Sequence, residues 1–282
     1  MTPFAQRFLE RAKTHGPLCL GIDPTPDLLK QWGLPDDAGG LEKMCEIIVA
    51  AAADKLAIVK PQIAYFERFG SHGIRILESL IRQFHQQNTL VLVDAKRGDI
   101  GSTAEAYAQA LLGERSALGA DAITVHAYLG FGSLMPLLQH ARAVGAGVFV
   151  VVRSSNPEGG LLQNAIVDGR RTIADYLADA ITAFNTDDGG VGPVGAVIGA
   201  TLTDDVGPTL KRLERSLILA PGIGHQGATY KDVLERFGEH SVRAIPAASR
   251  SILSHGPKIE TLRLEIEKQS ELARILLSRP TM

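Results

Sequence analysis

The 282-residue sequence predicts an α/β fold, a (β/α)8 barrel, from three observations. Eight short apolar runs recur along the chain at fairly regular spacing. These runs are continuous and β-branched rather than alternating, as in parallel strands that are covered on both faces. Segments with helical periodicity lie between them, and eight such units suit a barrel of roughly 250 residues. A doubly wound sheet is the alternative, but no Gly-x-Gly-x-x-Gly turn follows the first run.

The predicted helices and strands alternate along the chain. An N-terminal helix comes first, with Thr2 as its cap and Pro3 as its first residue. Strands are predicted at 18–22, 56–59, 89–93, 122–125, 148–152, 194–198, 217–220 and 242–247. Helices are predicted at 73–85, 103–112, 131–144, 171–184, 204–215 and 229–237. Because no linker, charge block or repeat marks a second domain, residues 1–282 are expected to form a single barrel domain.

Two stretches are longer than a minimal barrel requires. One covers residues 24–40, and the other is an extended segment after strand five, at 156–190. Both begin where a predicted strand ends, and the carboxyl ends of barrel strands carry the active-site loops. The extra length is therefore expected on the functional face of the barrel.

Composition and charge exclude several classes of function. Lys and Arg number 29 against 31 Asp and Glu, so the chain lacks the positive field that attracts nucleic acid. No apolar run approaches the roughly 20 residues that cross a bilayer, and the N-terminus lacks an apolar signal sequence. Cys19 and Cys45 form neither a disulfide framework nor a Cys-x-x-Cys pair. We expect a cytoplasmic protein with packed thiols and without nucleic-acid or membrane partners.

Charged side chains concentrate where the predicted strands end. Asp23 follows strand one, Lys60 follows strand two, and Asp94, Lys96 and Asp99 follow strand three. The carboxyl ends of the strands converge in a barrel, so these groups are expected to meet. Each residue also has a structural alternative: an N-cap or turn for Asp23, a lysine reaching from the rim for Lys60, and an ion network for the others.

Asp94 and Lys96 carry the most specific signal. Residues two apart on a strand share a face, here the inside of the barrel, and Asp99 follows closely. An ammonium group between two carboxylates stays protonated, so Lys96 is expected to act as an acid rather than as a Schiff-base nucleophile. Together with Lys60, Asp94, Lys96 and Asp99 form a set of alternating charges. Such a set can stabilise or repel charge on a substrate without a metal.

A second set of residues predicts a phosphate site. A glycine-rich run from Pro221 to Gln226 follows strand seven, and Ser249 and Arg250 follow strand eight. In barrels these two loops and the next helix commonly bind phosphate through backbone N–H groups. Arg250 would add a positive charge that can bind the phosphate through two parallel hydrogen bonds.

Residues 154–157, Ser-Ser-Asn-Pro, end strand five with groups that can hydrogen-bond a planar heterocycle. A local Ser or Asn turn that opens the long segment is the alternative. The spacing of the histidines does not match a metal site at His126, His140 and His225. We predict no zinc or iron centre.

Taken together, these motifs resemble the orotidine 5'-phosphate decarboxylase family. Residues 94–103, Asp-Ala-Lys-Arg-Gly-Asp-Ile-Gly-Ser-Thr, resemble its signature. The resemblance extends over the whole chain, because the other motifs occur in the family's order: Gly21-Ile22-Asp23, Val59-Lys60-Pro61, Ser155-Asn156-Pro157, Pro221-Gly222-Ile223-Gly224 with Gln226, and Ser249-Arg250. The length and the extended segment are similar to the longer bacterial branch, called type 2.

The resemblance implies conversion of orotidine 5'-phosphate to UMP and CO₂, the last step of de novo pyrimidine synthesis, by a cytosolic homodimer without cofactor or metal. It implies that Lys96 donates a proton to C6 within a charged network of Lys60, Asp94 and Asp99. Asp99, with Ile100 and Thr103, would reach into the neighbouring subunit's site. The remaining implied substrate contacts are Asp23 and Lys60 at the ribose, Ser155 at the pyrimidine, and Pro221, Gln226, Ser249 and Arg250 around the phosphate. Ser249 departs from the glycine of shorter members.

Two other functions stay open at this point. Hexulose-phosphate synthases and ketogulonate-phosphate decarboxylases share Asp-x-Lys-x-x-Asp but stabilise an enediolate with Mg²⁺; Lys60 and the Ser-Asn-Pro loop favour the nucleotide enzyme. A catalytically silent phosphate-binding barrel is the alternative from another class. Such a barrel would not need the complete charged network.

Overall fold

In a computed structural model of the chain, which describes residues 2–278 apart from the side chain of Asp187, eight strands close into a barrel. They are β1 (Cys19–Ile22), β2 (Ile58–Pro61), β3 (Leu90–Arg97), β4 (Ala122–Val125), β5 (Gly147–Arg153), β6 (Val194–Ile198), β7 (Ile218–Pro221) and β8 (Ala244–Ala248). Each strand pairs in parallel with the next, and β8 pairs with β1. Every strand overlaps one predicted apolar run, so the predicted (β/α)8 barrel is confirmed.

Helices surround the barrel and connect its strands. They are α1 (Phe4–His15), α2 (Pro26–Gln31), α3 (Ala38–Ala52), α4 (Ala64–Glu67), α5 (Gly70–Gln86), α6 (Gly101–Leu111), α7 (Met135–Ala143), α8 (Gly159–Gln163), α9 (Ile173–Phe184), α10 (Gly207–Lys211), α11 (Tyr230–Phe237), α12 (Arg250–Leu253) and α13 (Ile259–Ala273). Among the described residues, no helix is both long and apolar enough to cross a membrane.

The structure corrects two predicted helices. The N-terminal helix exists, but it begins at Phe4 after an extended Pro3, and no side chain caps it; the predicted Thr2 cap is wrong. The helix predicted at 204–215 is only α10, because Asp205 holds the Gly207 N–H in a turn before the helix begins.

Helix α1 covers the amino-terminal end of the barrel. Phe4 and Phe8 are buried, and the Phe4 N–H donates to Gly145 O just before β5 begins. The Phe4 ring meets Phe149 of β5 edge to face, with centroids 5.9 Å apart. Such a pair adds about 0.5–1.5 kcal/mol to the stabilisation from burial. The N-terminal helix therefore closes the end opposite the strand termini that carry the predicted site.

The extended segment after β5 has structure of its own. It contains α8, an antiparallel hairpin of Ile166–Val167 with Arg171–Thr172, and α9. Helix α9 begins at Ile173 because Thr172 Oγ1 accepts a hydrogen bond from the Asp175 N–H at 3.0 Å. The predicted extra segment after strand five is confirmed.

Strand β3 departs from regular geometry near its end. Val93 pairs with Ile123 and Arg97 with Val125, so four steps along β3 match two along β4. This bulge includes Lys96, whose φ of 45° is in the left-handed region and costs about 1–3 kcal/mol for a residue other than glycine. Regular strand alternation, which predicted that Asp94 and Lys96 share a face, does not hold here. The irregular pairing at the bulge, rather than strand alternation, sets the direction of the Lys96 side chain.

Candidate active site

One carboxylate at the end of β3 joins four side chains from three neighbouring strands and the loop after β2. Asp94 Oδ1 accepts hydrogen bonds from Lys96 Nζ at 2.6 Å and Thr124 Oγ1 at 2.7 Å. Its Oδ2 accepts from Lys60 Nζ at 3.1 Å and Gln62 Nε2 at 3.0 Å. The structure thus brings the sequence-predicted residues Lys60, Asp94 and Lys96 together in one network.

The charges in this network stabilise one another. Asp94 and Lys60 are both buried, and burial alone would raise the pKa of Asp94 and lower that of Lys60. Lys60 and Lys96 outweigh burial and hold the pKa of Asp94 well below its ordinary value. Asp94 and Asp23 likewise hold the pKa of Lys60 above its ordinary value. Both groups therefore remain charged at neutral pH.

Lys96 differs from the expected buried ammonium between two carboxylates. Its side chain is 52% exposed, whereas that of Asp94 is 10% exposed. Within residues 2–278, Lys96 pairs with Asp94, and Asp99 makes no ion pair with it. Asp99 Oδ1 instead accepts a hydrogen bond from the Ile100 N–H at 2.8 Å. An ammonium group has three donors, so Lys96 keeps donors for another partner.

Thr124 and Gln62 were not predicted from the sequence. Thr124 is buried in β4, and its hydroxyl both donates to Asp94 and accepts from the Lys96 N–H at 3.0 Å. One hydroxyl thereby holds the carboxylate and the bulge that carries Lys96. A threonine one residue before the end of an apolar strand was the signal in the sequence; Gln62 gave none beyond its place after β2.

We expect Thr124→Val to lower the free energy of unfolding by about 1–3 kcal/mol, because it leaves the part-buried Lys96 N–H and one Asp94 lone pair without their partner. Urea unfolding of the purified variant measures this loss. Thr203→Val is the matched control, since Thr203 is exposed. Equal stability of the two variants would contradict a structural role for the Thr124 hydroxyl.

Asp23 follows β1 and is not the cap of the next helix. Thr25 caps α2, with its Oγ1 accepting from the Leu28 N–H at 3.2 Å, so the N-cap alternative for Asp23 is wrong. Asp23 Oδ1 is buried without a hydrogen-bond partner among the described residues. Buried acceptors of this kind normally have a partner, which makes Asp23 a candidate for ligand contact.

A pocket of about 80 Å³ lies between the ends of β1, β2, β7 and β8. Its lining joins the two sets of predicted residues: Asp23, Lys60, Pro221, Gln226, Ser249 and Arg250. The Gln226 and Arg250 side chains are exposed at its rim. The structure therefore brings the predicted ribose and phosphate contacts to the same cavity.

The loop after β7 depends on glycine. Gly222 and Gly224 have φ values of 117° and 77°, which side chains rarely adopt. A Cβ on Gly224 would also lie 2.4 Å from Ser251 Oγ. This tight turn brings Gln226 to the pocket that Arg250 lines. The helix that starts at Arg250, α12, is a single turn.

Ser249 packs against β1 at a glycine. A Cβ on Gly21 would lie 2.7 Å from Ser249 Cβ, so the serine occupies space that a side chain at position 21 would need. Ser249 Oγ is buried and has no partner among the described residues. The serine at this position therefore places a hydroxyl in the lining of the pocket.

In the loop after β5, the N–H and the hydroxyl of Ser154 are already hydrogen-bonded within the same segment. Gln163 Oε1 accepts from the Ser154 N–H at 2.9 Å, and Gln163 Nε2 donates to Ser154 Oγ at 2.8 Å. Ser155 makes no side-chain hydrogen bond within the described chain and packs against Gly199 at the end of β6. Of the two serines, Ser155 is the one available to a ligand.

An ion pair between a buried arginine and a half-exposed aspartate, not predicted from the sequence, connects this loop to the loop after β6. Arg153, the last residue of β5, is 6% exposed in its side chain and contacts Asp204 Oδ2 at 2.5 Å. This contact lowers the pKa of Asp204. An arginine that ends an apolar strand was the visible signal in the sequence.

Ile100 and Thr103 lie outside the pocket. Ile100 is 61% exposed, and Thr103 is exposed in the first turn of α6.

Within the part of the chain that the structure describes, no group of three or more His, Cys, Asp or Glu is arranged to hold a metal. Cys19 and Cys45 are buried free thiols, as predicted.

Comparison with known proteins identifies the family of this chain. The model of the "Orotidine 5'-phosphate decarboxylase / HUMPS family" matches residues 16–264. The chain belongs to this family.

Relatives within the family are similar over nearly their full length. An orotidine 5'-phosphate decarboxylase from Myxococcus xanthus is 50% identical over 274 residues, which cover 96% of this chain and 95% of that protein. One from Salinispora arenicola is 46% identical over 268 residues, covering 95% and 96%. A crystal structure from Streptomyces avermitilis, provisionally assigned as the same enzyme, is 42% identical with a TM-score of 0.92, covering 98% and 96%. The predictions of the family and of a carboxy-lyase are confirmed.

Proposed function

We propose that this chain converts orotidine 5'-phosphate to UMP and CO₂ without a metal ion or cofactor, as the last step of de novo pyrimidine synthesis in the cytoplasm. One observation carries the mechanism. Lys96 Nζ is held 2.6 Å from Asp94 Oδ1, and half of the lysine side chain is exposed at the mouth, the end of the barrel where Asp23, Lys60, Lys96 and Arg250 lie. Relatives at 44–50% identity bear the name of this enzyme.

The reaction needs a cation at the reacting carbon. Loss of CO₂ leaves the electron pair of the broken bond on C6 of the pyrimidine, in an orbital that the ring does not delocalise. The barrier must therefore fall by on the order of 20 kcal/mol, near the upper end of enzymatic accelerations. The Lys96 ammonium stabilises the developing charge, gives its proton to C6, and recovers a proton from solvent.

Asp94 and Lys60 hold this ammonium in position and in the charged state. The two lysines grip opposite oxygens of Asp94, so the carboxylate cannot turn without breaking one contact. Asp94 also faces the substrate carboxylate in the proposed binding mode.

The remaining contacts fix the rest of the nucleotide. Asp23 Oδ1, buried without a partner in the described chain, would accept from a ribose hydroxyl. Ser155 would contact the pyrimidine, and Gln226 and Arg250 the phosphate, with Pro221 and Ser249 lining the pocket. An 80 Å³ pocket is smaller than the roughly 300 Å³ of typical ligand sites, so it suits the phosphate and ribose while the base lies over Lys96.

The proposed activity has a direct test. Purified protein is mixed with orotidine 5'-phosphate in excess EDTA, and the loss of the orotate chromophore is followed. We expect turnover that EDTA does not reduce. Failure of well-folded protein to consume the substrate would overturn the function, and loss of activity in EDTA that Mg²⁺ restores would overturn the metal-free mechanism.

Arg250→Ala is expected to raise KM by about 100-fold, with a smaller loss in kcat, because the phosphate lies far from C6 and its contacts act mainly through binding. Initial rates over a range of substrate concentrations separate the two constants. Arg75→Ala, an exposed arginine on α5 away from this pocket, is the control. A variant that lost kcat with KM unchanged would contradict the phosphate role.

We also propose a homodimer whose sites include residues of both chains. Asp99 does not pair with Lys96 within the described chain, and Ile100 leaves an apolar side chain in water. Contact with a second subunit would cover Ile100 and Thr103 and bring Asp99 to the partner's Lys96. This arrangement would give Lys96 the second carboxylate that its chemistry favours.

A further inference from the structure

A second cavity, of about 550 Å³, lies at the amino-terminal end of the barrel. Helices α1 and α5, the start of β3 and the segment between α6 and β4 line it. Its volume falls within the range of roughly 300–1,000 Å³ that small-molecule sites occupy. Leu90 at one end of β3 lines this cavity and Lys96 lies near the other end, so the cavity is separate from the proposed catalytic mouth.

Basic groups dominate its lining. The cavity contains three arginines and one histidine: Arg7, Arg11, Arg82 and His85. The acidic residues in the lining are Glu114 and Asp121. Asp121 is buried and already engaged: Oδ1 contacts Arg7 Nη1 at 2.5 Å, and Oδ2 accepts from the Val91 N–H at 2.8 Å and lies 2.9 Å from His85 Nε2.

The other two arginines keep their charge uncompensated. Within residues 2–278, Arg11 and Arg82 form no ion pair and no side-chain hydrogen bond. Partial burial lowers the pKa of Arg11; Asp121 opposes the effect and Arg7 adds to it. A guanidinium stays protonated in proteins, so Arg11 carries its positive charge in a partly buried place. Arg7 Nε is also buried without a partner in the described chain.

We propose that this cavity is a second ligand site, which binds a small polyphosphate of nucleotide size through Arg11 and Arg82. Guanidinium groups match phosphate oxygens with paired hydrogen bonds. Asp121 fixes Arg7 between α1 and the segment before β4, so one wall of the site is in place before a ligand arrives. The site is separate from the mouth in space, because the two sets of lining residues do not overlap.

The probe is ATP without Mg²⁺, titrated calorimetrically into the full chain at constant ionic strength. The titration uses the Arg250→Ala protein, so that phosphate binding at the mouth does not dominate the signal. We expect one ATP per chain, and a loss of affinity of about tenfold or more when Arg11→Ala and Arg82→Ala are added. Arg75→Ala, on the same helix as Arg82 but outside the cavity, is the matched control and should bind ATP unchanged.

Thermal unfolding of each variant shows that the mutated chains are folded. Absence of ATP binding to the Arg250→Ala protein would overturn the proposal. So would an affinity that Arg11→Ala and Arg82→Ala leave unchanged, which would place the ligand elsewhere. Equal affinity for inorganic pyrophosphate would contradict the nucleotide size. Turnover of orotidine 5'-phosphate does not enter these measurements, so the two proposals fail separately.

Discussion

Lys96→Ala is expected to lower kcat for orotidine 5'-phosphate by at least about 10⁴-fold, because one change removes both the cation at C6 and the proton donor. KM should change much less, since the ribose and phosphate contacts remain. Steady-state rates at saturating substrate measure the loss. The protein should stay folded, because the Lys96 side chain is half exposed and Asp94 keeps its buried contacts to Lys60 and Thr124.

Two further variants separate the roles of Lys96. Lys96→Arg retains a positive charge but holds its proton too tightly to donate it, so it should recover little of the lost rate. Lys55→Ala removes a lysine that pairs with Glu267 outside the mouth, and its kcat should match that of the unaltered protein. A Lys96→Ala enzyme within tenfold of normal kcat would mean that another group donates the proton.

The sequence predicted the barrel and the place of the site because both depend on local patterns. Apolar runs mark buried strands, and polar residues at their carboxyl ends mark the mouth, as Asp23 and Lys60 illustrate. Helix α3 was missed although most of its buried positions repeat with helical spacing, at 40, 41, 44, 45, 48, 49 and 52, with Ala51 buried in addition. Ile47, Ala50 and Ala53 are apolar as well and obscure that pattern.

What the sequence could not predict depends on contacts between distant segments. The bulge that directs Lys96 is a shift in the register between β3 and β4. Thr124 of β4 stabilises it by accepting a hydrogen bond from the Lys96 N–H. Arg7 and Arg11 have the spacing of one helix face, which is visible in the sequence. That this face meets Arg82 of α5 around a cavity follows only from the folded barrel.

Asp99 is a predicted catalytic residue that pairs, within residues 2–278, with none of the charged groups of the mouth. A shared site predicts that two inactive variants restore each other. In a mixture of Asp99→Ala and Lys96→Ala chains, half of the dimers are hybrids, and each hybrid has one site with both residues. Random exchange should therefore restore about a quarter of normal activity. Rates measured before and after subunit exchange test this result.

A second mixture shows whether the recovery reflects a site built from two chains. Lys96 and Asp94 come from the same chain in every site, as their 2.6 Å contact requires. Mixing Lys96→Ala with Asp94→Ala chains should therefore restore nothing, because each hybrid site still lacks one of the two. Recovery in this control would show that the restored activity does not come from a site that combines residues of two chains. No recovery in the first mixture, once exchange is verified by mass, would assign Asp99 to its own chain or to no site.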